Sequence, residues 1–101
     1  MLVSNRGHNS LAVFRVNLEG ALQGTLSVVG YCHKSGRTPR HFQFDPSGRF
    51  LIVANQDTDT IAVFSFDAES GHLSFTGQLY DVPSPNFVCV QAPYSRRLAK
   101  L

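Results

Sequence analysis

Two arginines, two histidines and a glutamine stand at the ends of short apolar runs in this 101-residue chain. Arg6 and His8 fall in "NRGHNS" (5–10), Arg40 and His41 in "TPRHF" (38–42), and Gln56 directly follows "FLIVAN" (50–55). A guanidinium can grip a carboxylate or phosphate through two parallel hydrogen bonds, a task Lys performs less well. An imidazole can exchange a proton near neutral pH. A loop that only reverses the chain can be built from Gly, Asn, Asp and Ser, so "NRGHNS" carries more chemistry than a turn requires. Each residue also has a structural alternative. An Arg at a strand mouth can bridge backbone carbonyls, and a His beside strands can be a satisfied structural residue. Asn5 and Asn55 are expected to brace their loops through Asx-type turns.

The elements that must hold these side chains are strands. Apolar runs rich in β-branched and aromatic residues, bounded by turn residues, predict eight of them near 2–5, 10–16, 22–30, 41–45, 50–55, 60–66, 73–80 and 86–91. "NLEGA" (17–21), "DPSGR" (45–49) and "DAESGH" (67–72) have the composition of tight turns. The chain also resembles itself. "LVSNRGHNSLAVFRV" (2–16) aligns without a gap to "IVANQDTDTIAVFSF" (52–66), and "TPRHFQF" (38–44) echoes "SPNFVCV" (84–90). A period of about 40 to 50 residues made of short strands belongs to propeller blades, each a four-stranded antiparallel sheet. "FLIVA" and "IAVFSF" are apolar almost throughout, as expected of sheets covered on both faces.

The fold class expected is therefore all-β, with about two antiparallel four-stranded blades of an incomplete propeller ring. Residues 1–37 supply the second, third and outer strands of one blade, and 38–82 a complete blade. Residues 83–93 supply the inner strand of a further blade, and 94–101, with Arg96, Arg97 and Lys100, a solvated tail. A closed ring takes about four to eight blades, so the expected partners include the missing blades. Antiparallel strands send alternate loops to opposite ends of each sheet. "NRGHNS", "NQDTDT" (55–60) and "HKSGRTPRH" (33–41) then share one rim, while the three turn-like loops share the other. That sorting places Asn5, Arg6, His8, Arg37, Arg40, His41, Asn55 and Gln56 around the mouth of a central channel.

Composition removes other classes. A net charge of +2, with nine scattered Lys and Arg, gives no nucleic-acid or membrane-surface signature. No stretch approaches a membrane span and "MLVSNRGH" does not read as a signal peptide, so a cytoplasmic location is expected. Cys32 and Cys89, distant and without CxxC spacing, read as buried free thiols in a reducing compartment. The four His and two Cys lack metal-ligand spacing, so no metal is expected. No GxSxG elbow, P-loop or dinucleotide fingerprint occurs.

The phrases "SNRGHNSLAVF", "TPRHFQFDPSGRFLIVANQDTDTIAVF" and "SPNFVCV", in this order, resemble the closing part of the bacterial lactonase family with a seven-bladed β-propeller. That family includes a 6-phosphogluconolactonase and is similar to the fungal carboxymuconate-lactonizing enzyme. The resemblance implies hydrolysis of a sugar lactone, 6-phospho-D-glucono-1,5-lactone giving 6-phosphogluconate in the pentose phosphate pathway, without a cofactor. It implies His8 as a catalytic candidate and Arg6, Arg40, His41 and Gln56 as substrate-binding candidates. In relatives the catalytic blade carries a Glu in an "NE" phrase after "PRH", and the resemblance implies that the blade here is the one after it, with the main acid/base residues outside this chain. Here the position is Gln56, and a neutral amide cannot serve as a general base. The chain alone is therefore expected to be inactive. A non-catalytic binding scaffold and a muconate-lactone cycloisomerase are the competing readings.

Overall fold

The structure, a computed structural model, describes residues 1–33 and 36–91. It contains two antiparallel sheets. The first has the order β1(Leu2–Asn5), β2(Ser10–Val16), β3(Leu26–Cys32). The second has the order β4(Pro39–Phe44), β5(Phe50–Asn55), β6(Thr60–Asp67), β7(His72–Asp81). The one helical element among the described residues is a 3-10 turn, Gln56–Thr58, between β5 and β6. Each sheet is a meander in which neighbours in sequence are neighbours in space, the arrangement of one propeller blade.

Side chains two apart along a strand share a face, and one face of each sheet is turned toward the other. β2 supplies Leu11 and Val13, β5 Leu51 and Val53, β6 Ala62 and Phe64, and β7 Leu73 to a single core. Phe42 and Phe44 of β4, Phe66 and Phe75 close its margins, with Phe64 and Phe75 rings 5.5 Å apart. Each such Leu, Val or Phe, once buried, stabilises the sandwich by ~1.5–3 kcal/mol relative to exposure. The opposite faces are less covered. Ile52, Ile61 and Val63 are half-buried, and the outer strand β3 leaves Val28, Val29 and Tyr31 exposed. The radius of gyration is 15.5 Å, against ~13 Å for a compact domain of about 100 residues. The molecule is thus an open two-sheet slab whose outer faces remain available.

The repeat seen in the sequence is also a repeat of irregularities. Register shifts fall at Val13/Phe14 and at Val63/Phe64, the same position of the repeat. β3 starts at Leu26 rather than at 22, because 17–25 are held as a turn. The Asn17 side chain there donates to the Thr25 carbonyl and to the hydroxyls of Thr25 and Ser27. β4 starts at Pro39 rather than at 41.

The stretch expected as an inner strand at 86–91 joins no sheet. It runs beside β4, where the Gln43 amide stands in for a peptide group: its Nε2 donates to Val90 O and its Oε1 accepts from Val90 N, both at 3.4 Å. Side-chain amides replace a backbone ladder, so the segment packs, with Val88 buried, without becoming a strand. The cysteine expectation also changes. Both thiols are free, but Cys32 is half-buried at the core margin and Cys89 is exposed. In a meander of this kind a residue on an uncovered face stays open however apolar its neighbours are. Lys34, Ser35 and the tail from 92 onward, with its basic cluster, lie outside the described residues.

Candidate functional site

The loops 6–9 and 56–59 and the stretch 36–38 that leads into β4 lie at one common end of the sheets, and hydrogen bonds tie them together there. Gly36, at φ +138, lets the chain pass over the second sheet's loop. A Cβ at that position would lie 2.7 Å from Thr58 Oγ1 and 3.0 Å from Asn55 Cγ. Arg37 follows, with its N–H on Thr58 Oγ1 (3.3 Å) and its Nη2 on the Asp57 carbonyl (3.3 Å). The Thr38 hydroxyl is bonded to the Asp57 carboxylate, and Gln56 N donates to Thr38 O at 3.0 Å.

Arg40 sits on a β-bulge. Pro39 pairs with Asn55 and His41 with Ala54, so Arg40 is the extra residue with no partner across the ladder. A bulge of this kind re-aims a side chain out of the alternation of its strand. Pro39 anchors it, being fully buried. The Arg40 guanidinium then meets the next loop, donating from Nη1 to Gln56 Oε1 at 3.0 Å. Gln56 Nε2 lies 3.5 Å from Ser84 Oγ. From the first sheet Arg6 reaches across, its Nη2 donating to the Arg40 carbonyl at 3.2 Å. Arg6 therefore does bridge to a backbone carbonyl between sheets, and it spends one of its five N–H donors doing so.

Arg6, Arg40 and Gln56 thus form one cluster on the rim, with both arginines exposed. Among the described residues neither guanidinium has a carboxylate partner. His41 and His8 are placed elsewhere. The His41 Nδ1 accepts from Val88 N at 3.0 Å, and its ring stacks on Phe87 with centroids 4.3 Å apart, so it holds the 86–90 segment against β4. His8 turns toward the end of β3, packing edge-on against His33 (4.9 Å) and Tyr31 (6.4 Å). Its Nδ1 is 2.6 Å from Ser10 Oγ, which also accepts from Asn5 Nδ2. Asn5 therefore spans its loop to Ser10 instead of forming an Asx turn. Asn55, fully buried, makes no side-chain cap bond to the turn it precedes.

Sequence reasoning missed the bulge at Arg40 and the part played by Ser84. The signal for Ser84 was present, because "SPN" repeats "TPR" and puts Ser84 where Thr38 stands. Among the described residues no three His, Cys, Asp or Glu side chains converge as a metal-binding group, and no helix is long and apolar enough to cross a membrane.

Residues 1–91 match the family described as Lactonase, 7-bladed beta-propeller. The 6-phosphogluconolactonase of Bacillus subtilis is 40% identical over 89 residues, covering 88% of this chain and 24% of that protein. That of Formosa agariphila is 41% identical over 75 residues, covering 72% of this chain and 20% of that protein. In three dimensions the chain superposes on the Pseudomonas aeruginosa periplasmic gluconolactonase PpgL with a TM-score of 0.80 at 39% identity, covering 91% of this chain and 25% of that one. The chain spans about a quarter of the length of the relatives it matches. Two packed meander sheets of three and four strands, a blade-length repeat and this match together establish that the chain belongs to the seven-bladed β-propeller lactonase family.

Proposed function

We propose that this chain is the substrate-anchoring sector of a sugar-lactone hydrolase that converts 6-phospho-D-glucono-1,5-lactone to 6-phosphogluconate, the step such an enzyme takes in the pentose phosphate pathway. The observation that carries the reading is the convergence of Arg6 and Arg40, from two sheets, on one rim with no carboxylate among the described residues on either guanidinium. Relatives named 6-phosphogluconolactonase give the substrate class.

In this reading Arg40 is aimed by its bulge and steadied by a neutral amide, so its charge stays available for an anionic group of the substrate. Arg6, with donors to spare, supports the same anion or the carbonyl oxygen as negative charge develops on it. Water attack on the ester carbonyl needs a base, and Gln56 cannot supply one. His8, on the same loop as Arg6 and bonded through Nδ1 to Ser10, is the imidazole candidate in this chain, its ring packed against His33 and Tyr31 and not on the two arginines. The acid/base carboxylate comes from the blades that complete the ring, and no cofactor or metal takes part. The unpaired thiols Cys32 and Cys89 fit a cytoplasmic setting, although PpgL is named as periplasmic.

Two measurements test the reading. The purified chain should hydrolyse the phosphorylated lactone no faster than a buffer blank, while 6-phosphogluconate should shift the side-chain NMR signals of Arg6 and Arg40. Turnover well above the blank would refute the inactivity of the sector. Arginine signals indifferent to 6-phosphogluconate at tens of millimolar would refute the anchoring role.

A further inference from the structure

Outside glycine, the described residues with a left-handed backbone are Asn9 (φ 59), Thr38 (φ 54), Asp59 (φ 54) and Ser84 (φ 45). They form two pairs at matching positions of the repeat. Asn9 and Asp59 close the loops before β2 and β6, and Thr38 and Ser84 each precede a buried proline, Pro39 and Pro85. The bonds run from one pair to the other: the Asn9 and Asp59 side chains accept from the backbone N–H of Thr38 and Ser84, respectively. Thr38 N donates to Asn9 Oδ1 at 2.9 Å, and Ser84 N to Asp59 Oδ1 at 2.7 Å. A left-handed backbone is tolerated by Asn and Asp but is unusual for Thr, whose Cβ is branched. Geometry of that kind persists where its surroundings over-determine it.

We propose that Asn9 is a positioning residue for the Arg6–Arg40 site, a latch from one blade that fixes where the next blade's inner strand begins. The proposal rests on the anchoring function given above to the two arginines. The Thr38 peptide is held from both sides, its N–H by Asn9 of the first sheet and its C=O by Gln56 N of the second. One residue on is the buried Pro39, and the next is the bulged Arg40, whose carbonyl receives Arg6 from the same loop as Asn9. The loop 6–9 therefore grips residues 38–40 at two points, and the direction of the Arg40 bulge follows from that grip. Without Asn9 Oδ1 the half-buried Thr38 N–H loses its partner, a state that backbone donors avoid. Asp59 does the same for Ser84, the residue that Gln56 reaches, so an amide and a carboxylate oxygen are interchangeable in this latch.

Two substitutions separate the latch from the backbone. Asn9→Gly keeps the left-handed conformation and removes the acceptor. Asn9→Asp keeps both, as Asp59 shows in the neighbouring repeat. In the full chain, Asn9→Gly should speed amide exchange at Thr38 by about tenfold, shift the Arg40 Nε–H resonance and weaken 6-phosphogluconate binding by about fivefold. Asn9→Asp should leave Thr38 exchange within about twofold and the Arg40 resonance in place, with 6-phosphogluconate affinity compared at about 1 M salt, where the added carboxylate is screened, and expected within about twofold there. The Phe64 amide, in the core, should be unaffected in both. If Asn9→Gly leaves Thr38 exchange and the Arg40 resonance unchanged, the proposal is overturned whatever the ligand does. If the wild type ignores 6-phosphogluconate while Asn9→Gly still moves Thr38 and Arg40, the anchoring function falls and the positioning of Arg40 stands.

Discussion

Replacing Gln56 by Glu puts the idea of a steadied but un-neutralised arginine to a direct test. Gln56 Oε1 accepts from Arg40 Nη1 at 3.0 Å, so a carboxylate there would form an ion pair with almost no rearrangement. An anion bound by Arg40 would then sit about 6 Å from the new charge. At that separation the repulsion is about 0.7 kcal/mol in the dielectric of water and about 2.8 kcal/mol at the effective value of about 20 near a protein surface. Arg40 is exposed and Gln56 half-buried, which puts the effect in the lower part of that range, about 1 kcal/mol, or a fivefold loss of affinity. The substitution also removes the Nε2 donor that faces Ser84. NMR titration of both proteins with 6-phosphogluconate reads the ratio of affinities even when binding is millimolar. Raising the salt from about 0.1 M to 1 M shortens the screening length from about 10 Å to about 3 Å, so the ratio should fall toward one. Equal or tighter binding by Gln56→Glu at low salt, or a ratio indifferent to salt, would show that Gln56 does not keep the Arg40 charge available.

Gly36→Ala should destabilise the chain by about 1–3 kcal/mol in urea unfolding, since backbone strain of this order adds to the contact a Cβ would make with Thr58; an unchanged midpoint would contradict the close crossing of the loops. His41→Ala removes the acceptor for Val88 N and the platform under Phe87, leaving the 86–90 segment on the two 3.4 Å bonds to Gln43. Amide exchange at Val88 should then accelerate by about tenfold with the sheet amides unmoved, and equal exchange rates would assign that segment's hold to other contacts. Asp45 makes a pH prediction. The Ser47 hydroxyl, helped by backbone N–H groups of Phe50, Ser47 and Arg49 and opposed by desolvation, holds its carboxyl below the usual aspartate value. A depressed folded pKa favours the charged form, so the turn's stabilisation is complete above the usual aspartate range and is lost as pH falls through the lower, folded value. A carboxyl 13C titration should show a midpoint below that of an unstructured aspartate, and Asp45→Asn should abolish this acid-side loss of the turn; a midpoint at or above the unstructured one would reject the hydrogen-bond account.

Strand identity, blade-length repetition and the gathering of Arg6, Arg40 and Gln56 on one rim were legible in the residues themselves. Period-two burial and antiparallel connectivity are local rules, and they dictate which end of a sheet a loop occupies. Contacts between distant segments then decided what local rules leave open. Long-range contacts set His41 on Val88, Arg6 on the Arg40 carbonyl and Asn9 on Thr38, and pairing within the second sheet placed the bulge that isolates Arg40. They also left Cys89 exposed and tied residues 86–90 to side chains in place of a ladder. The physical reason is range. A strand's alternation is set by bonds between adjacent residues, whereas the aim of a side chain at a loop depends on partners some 30 to 47 positions away, brought near only when Leu11, Val13, Leu51, Val53 and Phe64 close on one another.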